Sequence, residues 1–340
     1  MLNNDYRYGL LLFRGDGSAL GSASVEVDWE PAAEWARFYH ARRGGVPLFG
    51  AGAASIEPLW DRTEGEPYMR GFRVAYASGG RQVSSDFPSS YFNSLAAKAS
   101  SEFVKRGKLE AVDTYLFQAV AFARNGNGKA VEGMALEVVE EKPDLEYVEA
   151  HLADFQRRSS PNGVVDADDM PVFIPQRVLD EAAALTHAAS GRETGGILIG
   201  RLHHDAALPE IFAEVSAQIP AEHTASTNTK LTFTAQTWAA ADAALRLRGR
   251  GEVFLGYWYS HPVREWCRSK ACTLESQKNC RLARDFFSAD DESVMRAAFP
   301  RAYSVALVAN DTALADLSFS MFGNREGITT PRGFFILKES

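Results

Sequence analysis

Cysteine is scarce in this chain: Cys267, Cys272 and Cys280 are its only three, all within one short segment. A secreted disulfide framework spreads an even number of cysteines along a smaller chain, so that class is excluded. Basic charge is also in deficit. With a formal net charge of −8 there is no clustered Lys and Arg surplus of the kind that releases counterions from polyphosphate, and nucleic acid is not an expected partner. Long apolar runs are missing too: nothing reaches the roughly 18 residues that cross a bilayer. The N-terminus, MLNNDYRYGL, lacks a charged segment leading into a long apolar one. The expectation is a cytoplasmic protein with no membrane partner. No internal repeat or low-complexity tract is present, and no strand-like run leads into G-x-G-x-x-G, so solenoids and doubly wound nucleotide folds are not expected.

What is present is an ordinary globular composition, 46% hydrophobic and 24% charged over 340 residues, a length that favours two domains. In the first half, Tyr8 to Phe13, Gly15-Asp16-Gly17 and the alternating Ser22 to Val27 read as a hairpin. Phe72 to Tyr76 turned by Gly79-Gly80, and Tyr115 to Ala123 turned by Asn125-Gly126-Asn127-Gly128, read as two more. Helical spacing at Tyr91, Leu95, Ala99 and Phe103 predicts a helix between them. Residues 1–155 therefore form an α+β domain with antiparallel pairing, and no catalytic constellation is legible in it; His40 stands alone. The polar stretch Phe155 to Asp169, with Pro161-Asn162-Gly163, predicts a linker over 156–169.

The second domain, 170–340, opens with Pro175 as the first residue of a helix whose apolar stripe is Val178, Leu179, Ala182, Leu185 and Ala189. Gly191 stops it. Strand-like runs follow at Ile197–Ile199, Ile211–Ala217, Leu231–Thr234, Val253–Leu255 and Ser304–Val308, with helices over Thr237–Leu247 and Ala289–Ala298. The order fits an α/β sandwich. His203 and His204 are expected in an exposed hairpin loop.

Two segments carry chemistry. Glu193-Thr194-Gly195-Gly196 precedes a strand, and Gly256 to Pro262 reads as a strand in which positions 259 and 261 share a face. That spacing suits a metal ion, for which His261 is a ligand candidate. Ser288 and Asp291 open a predicted helix, where two readings stand side by side. They are an N-cap arrangement, or Asp291 is a further ligand.

This ordered set (helix, E-T-G-G-I-L-I-G, strand, S-H-P, S-x-x-D, helix, strand) resembles the JAB/MPN (JAMM) metalloprotease family in its prokaryotic form, over roughly residues 170 to 338. The family removes ubiquitin and ubiquitin-like proteins. The resemblance implies zinc, with Glu193 as general base, His261 and Asp291 as ligands and Ser288 polarising the scissile carbonyl. It also places Tyr259 where the family has the first His of H-x-H-P. A phenol with an ordinary pKa near 10 is a poor ligand at neutral pH. An alternative alignment lands on Ser269 and Cys272. On the preferred one, 263–287 is an insertion holding every cysteine, so the remaining ligand is Tyr259 or one of Cys267, Cys272 and Cys280. The same thiols could instead form a structural zinc knot or have no metal role.

The expected function is a zinc-dependent peptidase or isopeptidase acting on a ubiquitin-like protein or its conjugates, with the first domain docking a partner such as a conjugation-pathway enzyme. The alternative is an inactive MPN-like scaffold that binds the same partners. A third reading is a thiol-dependent enzyme.

Overall fold

A computed structural model of the chain describes residues 2–44, 53–61, 68–78, 80–110, 113–123, 147–221, 224–226, 231–273, 275–276, 286–312 and 317–338. The chain divides into two units, Met1–Asp144 with Glu326–Ile328, and Leu145–Arg325 with Thr329–Ser340. The fold class is α+β with antiparallel sheets.

In the first unit the elements are β1 (Leu2–Asn4), β2 (Tyr6–Arg14), β3 (Ala19–Val25), α1 (Glu30–Arg42), β4 (Ala54–Asp61), β5 (Tyr68–Ser78), β6 (Arg81–Pro88), a single 3-10 turn (Ser89–Phe92), α2 (Asn93–Lys105) and β7 (Tyr115–Ala123). They make a sheet of order β1-β4-β5-β6 and another of order β3-β2-β7. The β2–β3 and β5–β6 hairpins fall where the alternation puts them. The turn expected after β7 lies outside the described residues, and within them β7 pairs along its whole length with β2. Trp29 anchors the core, edge-on to Tyr8 (4.8 Å) and Phe72 (4.7 Å), while Phe72 stacks on Phe87 at 4.9 Å. Each such aromatic pair adds about 0.5–1.5 kcal/mol beyond its buried area.

The second unit holds β8 (Tyr147–Ala150), α3 (Leu152–Arg157), β9 (Ser159–Asn162), β10 (Val172–Pro175), α4 (Gln176–Ala188), β11 (Gly195–Asp205), β12 (Ile211–Pro220), β13 (Thr224–Ser226), β14 (Leu231–Phe233), α5 (Ala235–Arg248), β15 (Val253–His261), α6 (Val263–Ser269), α7 (Ala289–Ala298), β16 (Val305–Asn310), β17 (Ser318–Arg325), β18 (Ile328–Arg332) and β19 (Phe334–Leu337). Its large sheet runs β18-β17-β16-β15-β11-β12-β10-β19-β9, with β8 also paired to β11. Pairing with β12 and β15 is antiparallel, whereas β15 and β16 run parallel. The central strands are apolar on both sides of the pleat, as covered strands must be. On one side Ile197, Ile199, Tyr257, Tyr259, Ala306 and Val308 pack with Ala241 of α5, with Met295 of α7 and with Phe299 at its C-terminal end. On the other, Trp258 Nε1 donates to Gln218 Oε1 (3.0 Å), and Gln218 Nε2 donates to Glu181 of α4 (3.3 Å).

Three sequence expectations are corrected here. The stretch 156–169 is not a linker: it contains the end of α3 and the strand β9, which pairs antiparallel with β19 at the far end of the chain. The division between units accordingly falls at Asp144–Leu145 rather than after 155. Pro175 is the N-cap of α4, extended at ψ 141°, rather than its first helical residue. His203 and His204 lie within β11, not in a loop. His204 is exposed, but His203 is buried, stacked on Phe212 at 4.9 Å with its Nε2 3.0 Å from Glu214 Oε2.

Among the described residues no helix is long and apolar enough to cross a membrane. At the far end of β11 the buried Asp205 carboxylate accepts backbone N–H bonds from Leu152 (2.5 Å), Ala207 (2.8 Å) and Leu208 (2.7 Å). Burial alone would raise its pKa, but these three bonds outweigh it and the net shift is downward. Its folded pKa thus lies below the unfolded value of about 3.9, and the stabilisation is present above about pH 4 and lost as pH falls through the folded pKa. Asp205→Ala should cost about 2–3 kcal/mol at neutral pH. Urea melts should show that loss shrinking below about pH 4; a loss as large in acid as at neutrality would mean the charge plays no part.

Candidate functional site

The site forms where three segments meet on the α5/α7 side of the sheet. The first is the turn before β11. Thr194 N donates to Ser260 Oγ (3.0 Å) and Ser260 N donates to Thr194 O (2.8 Å), so the fully buried Ser260 fastens this turn to the end of β15. Gly196 is required by crowding: a Cβ there would lie 2.6 Å from Trp258 Nε1 and 2.5 Å from Ile219 O. Through this clamp Glu193 becomes buried, at 7% exposure, near enough to Tyr259 for its charge to oppose ionisation of the phenol.

The second segment is the end of β15. Tyr257, Tyr259 and His261 follow one another on the same face, with ring centroids 5.6 Å apart for the first pair and 5.0 Å for the second. Trp266 of α6 (5.4 Å) and Phe286 (5.5 Å) close over the imidazole. His261 is buried at 3% exposure, and its Nδ1 has no hydrogen-bond partner. Burial lowers its pKa, against the opposing pull of the Asp291 carboxylate and Asn310, so the ring is neutral at pH 7.

The third segment is the start of α7. Ser288 N and Oγ both donate to Asp291 Oδ2, at 2.7 Å and 2.6 Å, and Asp291 N donates to Ser288 Oγ (3.1 Å). This is a capping box built with Asp. The capping reading of the S-x-x-D pair is therefore realised in the geometry, and Oδ1 is left outside the cap. Tyr257 Oη ties the helix to the sheet by donating to the Asp291 carbonyl (3.1 Å).

No family model and no curated protein matches the chain. Among solved structures it is similar to the solution structure of protein DSY2949 from Desulfitobacterium hafniense, at 18% identity over 49% of this chain and 94% of that one, with a TM-score of 0.33. At that level the likeness carries no argument.

Glu193, Tyr259, His261, Ser288 and Asp291 thus gather at one place. Cys267 is buried on α6, Cys272 is half-buried just beyond it, and Cys280 lies outside the described residues. Among the described residues no three His, Cys, Asp or Glu side chains converge as a metal group. A zinc site of the peptidase kind needs three protein ligands and an open position. The donors here are one neutral imidazole, one carboxylate with an oxygen committed to its own cap, and a phenol. That phenol is driven far above its usual pKa by burial first, then by the carboxylate of Asp291, the neighbouring phenol Tyr257 and the carboxylate of Glu193. Its hydroxyl is buried without a well-formed hydrogen bond. Among the described residues the set is one ordinary ligand short of zinc.

Sequence reasoning missed Asn310. It stands opposite His261 across the parallel β15–β16 pair, and its Nδ2 donates to Ser320 Oγ (3.1 Å) while its buried Oδ1 has no partner. The signal available was a polar residue closing the apolar run Val305–Ala309 in register with the S-H-P segment.

Proposed function

We propose that the second unit is a JAB/MPN-like binding module that holds a ubiquitin-like protein, or a subunit of its conjugation pathway, without zinc-dependent cleavage. The observation that carries this reading is Tyr259, a buried neutral phenol where the resembled family needs an imidazole. Supporting it are the order of the motif-bearing segments along the chain and the gathering of Tyr259, His261 and Asp291 under an aromatic cover. Two buried polar atoms there, Tyr259 Oη and His261 Nδ1, have unspent hydrogen-bonding capacity. Leaving such groups unmet costs about 1–3 kcal/mol each, which a bound polar ligand recovers. An extended C-terminal tail offers backbone N–H and C=O groups in regular array, the usual currency of tail recognition.

A second reading, a zinc-dependent peptidase or isopeptidase using Glu193, Ser288, His261 and Asp291, is favoured by the same unpartnered Nδ1 beside a carboxylate. Binding and cleavage assays separate the two. Fluorescent ubiquitin with a free Gly-Gly tail, and isopeptide-linked di-ubiquitin, would be mixed with the full chain with and without added zinc. The binding module predicts saturable, zinc-independent association and intact di-ubiquitin. Zinc-dependent cleavage abolished by Glu193→Gln would establish the peptidase instead, and absence of association would sink the binding reading.

A further inference from the structure

The end of α6 is built in an unusual way that neither function reading uses. The helix stops in a left-handed turn made without glycine: Ala271 takes φ 50°, Cys272 N donates to Cys267 O (2.9 Å), and Ala271 N donates to Arg268 O (3.1 Å). Those two bonds define the Schellman arrangement, in which the side chains three residues inside and two residues beyond the helix end are brought against each other. The residues at those two places are Cys267 and Cys272. An alanine in this conformation is disfavoured relative to glycine, so the turn is held by its surroundings rather than by local preference. A disulfide requires Cα atoms roughly 4.4–6.8 Å apart with converging Cβ vectors, and Cys267 and Cys272 occupy the pair of positions that this turn brings together.

We propose that Cys267 and Cys272 form a dithiol site that a low-molecular-weight disulfide oxidises reversibly to an intrachain disulfide across the end of α6. The two thiols differ in access, as such a site requires: Cys272 is half-buried and Cys267 is buried at 6% exposure. In the first step the Cys272 thiolate attacks one sulfur of the small disulfide, forming a mixed disulfide and expelling one small thiolate. In the second, the Cys267 thiol loses its proton to solvent and its sulfur attacks Cys272 Sγ, expelling the second. Two protein thiols are oxidised, one small disulfide is reduced to two thiols, and the electrons balance. Arg268 is paired with Glu265, which leaves the exposed Lys270 in the turn as the positive charge that draws an anionic disulfide such as oxidised glutathione. The bond would pin α6, whose Trp266 lies 5.4 Å from His261, so the redox state of this turn is linked to the wall of the candidate site.

The test uses the reduced full chain equilibrated in glutathione buffers of graded oxidising strength, quenched in acid, alkylated under denaturing conditions and mapped by mass spectrometry. Cys267 and Cys272 should lose alkylation together, at one midpoint, and be recovered as a cross-linked peptide pair. Cys280→Ser should leave that behaviour unchanged, and Cys272→Ser should keep Cys267 alkylatable at every ratio. Stable glutathionylation of Cys272 with Cys267 still alkylatable overturns the proposal. So does a bond from either residue to Cys280, or a wild-type chain whose thiols stay alkylatable in the most oxidising buffer.

Discussion

Tyr259→His should raise zinc affinity at neutral pH by at least roughly 100-fold, since even outer-shell changes around a zinc site move affinity 10–100-fold and this one adds a direct ligand. The variant places a second imidazole two residues from His261 on the same strand face, close enough to Asp291 for that carboxylate to act on the side chain at 259. A neutral imidazole presents a lone pair without first losing a proton. The wild-type phenol does not. Its pKa is raised by burial and then by Asp291, Tyr257 and Glu193, so at pH 7 it is protonated in both folded and unfolded chains, and zinc could engage it only by expelling that proton. Any wild-type binding through Tyr259 must therefore strengthen about tenfold per pH unit through the alkaline range, whereas binding by the His variant should level off above about pH 6.5.

Competition against a coloured chelator measures both affinities, and Tyr259→Phe supplies the control. It keeps the ring that packs on Tyr257 and His261 while removing a hydroxyl that is buried without a well-formed bond. Phe at this position should melt no lower than wild type and bind zinc no better. Equal zinc affinity for wild type and Tyr259→His at pH 7 would show that the phenol already serves as a ligand, and the peptidase reading would then replace the binding one.

The parts of this fold legible in the sequence are those whose physics is local. β11 and β16 announce themselves as continuous apolar runs because both faces of each are covered, and α7 begins at Ala289 because Ser288 and Asp291 satisfy its first N–H groups. What escaped was decided by distant partners. The polar residues Ser159–Asn162 become a strand only because Phe334–Leu337, more than 150 positions away, offers an unpaired edge. His203 looks like loop material beside His204, yet cross-strand Phe212 and Glu214 supply a ring to stack on and a carboxylate to meet. In the site, Glu193 and His261 were readable from their motifs. Asn310 and the covering rings of Trp266 and Phe286 depend on inter-strand register and on the path of α6, which no spacing along the chain encodes.

Gly256→Ala should produce the largest loss of stability in the second unit, about 3–5 kcal/mol, or a melting temperature lower by about 6–20 °C. Gly256 has φ 152°, and an added Cβ would sit 1.7 Å from Val305 O and 2.8 Å from its carbonyl carbon. These are backbone atoms of β16, held in place by β17 on the other side, so no side-chain rotation relieves the clash. The glycine also sets the phase of the site. Opposite it the pairing of β11 with β15 slips, Leu198 facing Gly256 but Ile199 facing Phe254. The extra residue in β15 is a bulge of the kind that re-aims side chains. Because of it Phe254 and Tyr257, three apart, pack into the same cluster, which regular alternation would forbid. Everything after the bulge inherits that phase, including Tyr259 and His261. A chain that accommodated alanine by removing the bulge would turn both rings to the opposite face, where Trp258 now packs against Gln218. Unfolding by heat and loss of the site are thus expected together, and a Gly256→Ala protein melting within about 2 °C of wild type would show that β15 reaches His261 by another route.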